Sequence, residues 1–185
     1  KRADKVAAEG LTNVKVAGNT AVVLELNSET DFVAKADDFK KLLEDITDEL
    51  LAKKPADLES ALQGGIEDKI AGVVAKIGEK ISLRRFAILE KTDADAFGAY
   101  IHMGGKISVL TLLTGTTDEN LARDIGMHAA AAYPKYLNRA EVPSAIVEKE
   151  KEIATEQLKA QNKPANVIEN ILKGKMDKFY SEVCL

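Results

Sequence analysis

Two stretches of strand-like alternation, each folding back at a glycine-bearing turn and each followed by a helical repeat, constrain this chain more than any other feature. In the first, Val14 and Val16 alternate with polar neighbours, Gly18-Asn19 supplies a turn, and residues 21–26 return as a strand. Phe39, Leu42, Leu43, Ile46 and Leu50 then recur at the spacing of one helix face, with Asp37 placed to cap the start and Lys53-Lys54-Pro55 suited to the end. In the second, residues 98–103 and 106–113 read as a hairpin about Gly104-Gly105. Thr116-Thr117-Asp118-Glu119 then reads as a capping box opening a helix that runs to about Tyr133 and stops at Pro134. Residues 19–26 align by residue type with residues 105–112. This repetition predicts an α+β fold with two related subdomains, each an antiparallel sheet with helices. Between the halves, Ile66, Ile70, Val73, Val74 and Ile77 predict a helix ending at Gly78, and residues 81–90 predict an apolar strand.

The C-terminal third is different in kind. Residues 144–161 are Glu/Lys-rich and helix-favouring, with Ile146 and Ile153 as a narrow apolar seam and Glu148, Lys149, Glu150, Lys151, Glu152 and Glu156 around it. Asn162-Lys163-Pro164 breaks this helix, and a second one carries Val167, Ile168, Ile171, Leu172, Met176 and Phe179. Two helices joined by a short turn predict an antiparallel hairpin, read here as a coiled-coil arm projecting from the body. The expected division is 1–97 for the first subdomain, 98–143 for the second, 144–182 for the arm, and 183–185 for the start of a truncated C-terminal segment. Residues 1–9 read as the end of a helix or a linker, and both ends of the chain read as unfinished.

Composition narrows the function classes. A net charge of -4 argues against a direct nucleic-acid binder, which usually carries a basic stripe. One cysteine, Cys184, forms no internal disulfide, and one Cys with two His falls short of a zinc ligand set without carboxylate help. No apolar run reaches the length of a membrane span and no secretory signal opens the chain, so the expectation is a reduced, soluble, cytosolic protein that binds no membrane. No phosphate-binding loop, nucleophile elbow or metalloprotease helix is present, which predicts no cofactor and no catalytic residues. Asp124 and His128, four apart on a helix, are the one pair that could serve a metal or acid–base enzyme. His128 shares its stripe with Leu121, Ile125 and Ala132, where a histidine is more often a core or interface residue.

Thr30-Asp31-Phe32-Val33 follows a strand directly, where the chain must turn. An ordinary structural reading has Ser28 or Thr30 capping a short helix, Asp31 meeting its positive end, and Phe32 packing into the core. The functional reading leaves the acid and the aromatic exposed for a partner.

The run Glu25-Leu26-Asn27-Ser28-Glu29-Thr30-Asp31-Phe32-Val33-Ala34-Lys35 resembles, position by position, a signature of the bacterial elongation factor Ts family. Val74-Ala75-Lys76-Ile77-Gly78-Glu79, Gly126-Met127-His128-Ala129-Ala130 and Gly174-Lys175-Met176 with Lys178-Phe179 support the resemblance in order. Ser108 stands where many members carry Gly. The resemblance implies a guanine nucleotide exchange factor, not an enzyme of covalent chemistry, whose partner is elongation factor Tu. It implies two α+β subdomains with an inserted coiled-coil hairpin, an N-terminal helical domain before Lys1 and a further segment after Leu185. It places Thr30, Asp31, Phe32 and Val33 against the partner's nucleotide domain near its magnesium, and Ile107, Ser108, Met127 and His128 against another domain of the partner. The alternative is an interaction module acting through its coiled-coil arm.

Overall fold

The computed structural model of the chain describes residues 7–161 and 164–185. The linker reading of residues 1–9 therefore lies largely outside the described residues, although Glu9 itself opens a strand, and the Asn162-Lys163 break lies outside them entirely. The fold is α+β with two antiparallel sheets. Strands β1 (Glu9–Ala17), β2 (Thr20–Ser28) and β3 (Ile81–Glu90) form the first, in the order β1-β2-β3. The turn between β1 and β2 is Gly18-Asn19, and Ala17 pairs Thr20, as the sequence predicts. A bulge between Glu25 and Leu26 sets Glu25 against Arg85 and Leu26 against Leu83, leaving Arg84 as the extra residue on β3.

Val22, Leu24, Leu26 and Leu83 are buried in a single core with the helices α2 (Asp37–Lys53) and α4 (Glu67–Ile77). All five residues predicted for the apolar face of α2 are buried. Asp37 does not cap α2: Ala36 holds the cap position without a side-chain bond, and Asp37 lies one residue in, where its charge still meets the positive helix end. The helix before Gly78 begins within one residue of the predicted start, at Glu67. A turn of helix, α3 (Leu58–Ala61), is capped by Asp57, and a kinked turn over Leu62–Ile66, where Gly65 takes a φ of 116°, links it to α4. The apolar period was readable only after this turn, because Gly64-Gly65 interrupt the pattern.

The second sheet is the hairpin of β4 (Ala96–His102) and β5 (Ile107–Leu113), followed by α5 (Glu119–Ala132). Asp118, rather than Thr116, caps α5: its carboxylate accepts from Leu121 N at 2.9 Å. The hairpin packs on β1, where Thr12 N donates to Gly105 O at 2.6 Å and Thr12 Oγ1 to Ser108 Oγ at 2.8 Å. Gly105 is required there, since its φ of 99° is left-handed and an added Cβ would press on the Thr12 carbonyl.

One compact unit reaches to Ala130 and a second runs from Ala131 to Leu185. In the second, α6 (Ser144–Ala160) and α7 (Ala165–Val183) lie antiparallel, with Lys175 Nζ donating to Gln157 Oε1 at 3.3 Å. The predicted seam on α6 is corrected: Ile146 and Ile153 are 42% and 40% exposed, while Ala154 and Leu158 are buried, as is Met176 of α7. The end of α7 is tied to the segment before α6. Lys135 N and Tyr136 N both donate to Val183 O, and Arg139 pairs Asp177 at 2.9 Å and lies over the Tyr180 ring.

Candidate functional site

Thr30 to Lys35 fold as a cap and one helical turn, α1 (Asp31–Lys35), straight after β2. Five residues cannot sustain a helix alone, so the turn depends on what it is fastened to. Thr30 caps it, as the ordinary reading predicts, with Oγ1 accepting from Val33 N at 3.4 Å. Val33 and Ala34 bury themselves in the core. Phe32 does not, and is 81% exposed. The next apolar side chains of the turn face inward because a helix sends neighbouring positions about 100° apart, so burying Val33 and Ala34 turns Phe32 out.

Asp31 is ion-paired with Lys35 at 2.7 Å across one turn. The Lys35 ammonium, hydrogen-bonded to it, holds the Asp31 carboxyl below its ordinary range, and Lys106 works in the same direction. Asp31 raises the Lys35 pKa in return. Lys106, at the tip of the β4–β5 hairpin, also reaches Glu9 at 3.3 Å. The exposed ring therefore stands beside a fixed anion within a small field of alternating charge.

The remaining predicted residues lie on the β4–β5–α5 element. Ile107 and Ser108 are half-buried at the start of β5. Met127 and His128 are exposed on α5, as are Leu121 and Asp124. The stripe carrying His128 is thus not core: α5 buries Ala122 and Gly126 instead. His102, which had no partner in the sequence, lies 3.0 Å from the Tyr100 hydroxyl through Nδ1. Among the described residues, no group of three or more His, Cys, Asp or Glu side chains could hold a metal ion. Among them, too, no helix is long and apolar enough to cross a membrane.

Residues 29–185 match the family model described as Elongation factor TS. The chain belongs to the elongation factor Ts family. Membership brings the family's role, nucleotide exchange on elongation factor Tu during translation elongation, and with it elongation factor Tu as partner.

The stretches that resemble the elongation factor Ts family contain two residues whose work no local pattern in the sequence revealed. Glu79, in the loop after α4, accepts from Thr30 N at 3.1 Å and from Thr30 Oγ1 at 3.0 Å. Glu29 accepts from Lys80 N at 2.7 Å. Each of two loops thus supplies a carboxylate to the other. Forty-nine residues separate Thr30 from Glu79, so no local pattern could reveal the contact. The only signal was that both lie in stretches resembling the family.

Proposed function

We infer that the chain releases GDP from elongation factor Tu by pressing the Phe32 ring into the partner's nucleotide-binding domain near its magnesium. The observation that carries this reading is an exposed aromatic side chain on a turn whose next two residues, Val33 and Ala34, are buried. Such a ring is costly to leave in water and gains most of its burial on a partner. Much of a GTPase's hold on GDP comes from magnesium and from backbone amides around the phosphates. A wedge that shifts those groups slightly weakens the nucleotide without any covalent step. Asp31, ionised and tethered by Lys35, supplies charge beside the wedge and disturbs the magnesium surroundings. Ile107, Ser108, Met127 and His128 grip a second domain of the partner and give the wedge something to push against. By linkage, GDP must weaken this protein's binding by the factor with which the protein weakens GDP. A cytosolic location, where elongation factor Tu works, belongs to the same proposal.

The test is to mix the chain with elongation factor Tu carrying fluorescent GDP and follow release. Phe32→Ala is expected to slow release roughly tenfold or more, the usual scale for an anchor residue at an interface. Release as fast as the parent's would overturn the wedge.

The exposed Ile146 and Ile153 favour a second contact, in which the α6–α7 hairpin projects as a coiled-coil arm toward a partner. Replacing residues 145–177 by a short flexible linker tests it: exchange lost while the rest stays folded supports the arm, and exchange unchanged removes it.

A further inference from the structure

We propose that Glu79 is a positioning residue for nucleotide exchange: from the loop between α4 and β3 it locks the Thr30 cap and so holds Phe32 ready for the partner. The proposal rests on the reading of Phe32 as the wedge. Its basis is the division of labour at one hydroxyl. Thr30 Oγ1 has a single proton and donates it to the Glu79 carboxylate, at 3.0 Å to Oε1 and 3.1 Å to Oε2. With the proton so directed, the hydroxyl lone pairs are turned toward Val33 N, which donates to the same oxygen. A charged acceptor strengthens and orients such a chain of bonds.

Glu79 also takes the Thr30 backbone N–H, at 3.1 Å. The neighbouring bonds from Ser28 Oγ to Thr30 O at 2.9 Å and from Lys80 N to Glu29 at 2.7 Å fasten the same corner. The result is a five-residue helix whose start is fixed from outside by another loop. Without Glu79 the hydroxyl is free to rotate and the Thr30 N–H loses this partner. The turn then has to order itself on the partner, which weakens binding without changing the ring that acts there.

The predicted signature follows from that order of events. In the full chain, Glu79→Ala is expected to raise the concentration giving half-maximal GDP release roughly tenfold, the scale of a lost hydrogen bond to a charged group. The maximal rate at saturation should change far less. Glu79→Gln keeps one acceptor oxygen and is expected to fall between the two proteins. In a Phe32→Ala background, Glu79→Ala should add little. Four outcomes decide the matter. The concentration shift with a preserved maximal rate, absent in the Phe32→Ala background, supports the proposal. An equal shift in both backgrounds shows Glu79 acting elsewhere and overturns it. Phe32→Ala slowing release while Glu79→Ala leaves it unchanged overturns the positioning role but keeps the wedge. No effect of Phe32→Ala overturns the wedge itself, and with it anything Glu79 could position. Should Glu79→Ala fail to fold, Glu79→Gln takes its place: a smaller shift of the same kind supports the proposal, and none overturns it.

Discussion

The two hairpin-and-helix elements use the same topology for opposite ends. The helix α2 meets its sheet through Phe39, Leu42, Leu43, Ile46 and Leu50, all buried. The helix α5 meets β4–β5 through Ala122 and Gly126, and Gly98 beneath it lies so close that an added Cβ would strike the Ala122 carbonyl and the Thr111 hydroxyl. Thr111 Oγ1 bonds the Ala122 carbonyl directly, at 2.6 Å. Each large apolar side chain buried by α2 contributes about 1.5–3 kcal/mol of transfer free energy. A helix seated on small residues at near-backbone distance gains less from each. Two of its three large apolar residues are left on the outside: Leu121 and Met127 are exposed, with His128 beside them, while Ile125 is half-buried. One copy of the motif is therefore scaffold, and the other presents a surface.

The largest expected effect tests the scaffold half. Phe39→Ala removes the bulkiest fully buried side chain of α2 and should cost about 3–5 kcal/mol, read as a lowered urea midpoint. Leu121→Ala on α5 should cost no more than about 0.5 kcal/mol. Equal costs at the two positions would erase the contrast.

Next in size is Gly98→Ala. A methyl has no room between β4 and α5, so overpacking of about 1–3 kcal/mol is expected. The comparison also predicts where the damage falls. Amide hydrogen exchange should quicken along α5 while the amides of α2 stay protected. Uniform loss of protection would show that the two helices unfold as one.

The contrast also explains what the sequence made legible. Alternation marked β1, glycine-bearing turns marked the returns through β2 and β5, and the period of large apolar residues marked α2, because burial there selects large residues. The same reasoning fails where small residues do the packing. On α5 it pointed to the stripe of Leu121, Ile125 and His128, whereas the buried side is Ala122 and Gly126. On α6 it chose Ile146 and Ile153, whereas Ala154 and Leu158 are buried. Ala154 lies about 100° around the helix from Ile153, and Leu158 four residues on falls in line with Ala154. The place of Phe32 after a strand left both a buried and an exposed ring open, and the family signature favoured exposure; the Glu79 clamp that holds its turn is a contact between distant segments and left no period to read.

The scaffold role of α2 extends to its outer side and makes a pH prediction. Glu49 is largely buried and pairs with Lys53 at 2.7 Å and Lys69 at 2.5 Å, while Lys53 also bonds the Gly64 carbonyl in the kinked turn before α4. Burial by itself would raise the Glu49 pKa, but the two lysines outweigh it and hold it below the ordinary 4.5. A carboxyl whose pKa is lower folded than unfolded stabilises the fold above its unfolded pKa, and that contribution is lost as pH falls through the folded value. Stability should therefore drop below about pH 4.5, and Glu49→Gln should flatten part of that slope. Denaturant midpoints between neutral pH and pH 3 measure it; a slope identical in the variant would remove Glu49 from the acid response.

The smallest effect on stability is expected at His128, and that is where the contrast between the two helices becomes functional. His128 is exposed on α5, opposite the side that carries Ala122 and Gly126, so His128→Ala removes no packing and should change stability by no more than about 0.5 kcal/mol. If the face is presented to elongation factor Tu, the same substitution weakens the complex. Its effect should appear mainly in the dissociation rate, as interface truncations usually do. Combining it with Phe32→Ala separates the two grips. The two residues lie on different elements, so their effects on affinity should add if each holds its own domain of the partner. Additive losses with an unchanged melting temperature would establish α5 as a presenting surface. A large fall in melting temperature for His128→Ala alone would return it to the scaffold, and the distinction between the two helices would go with it.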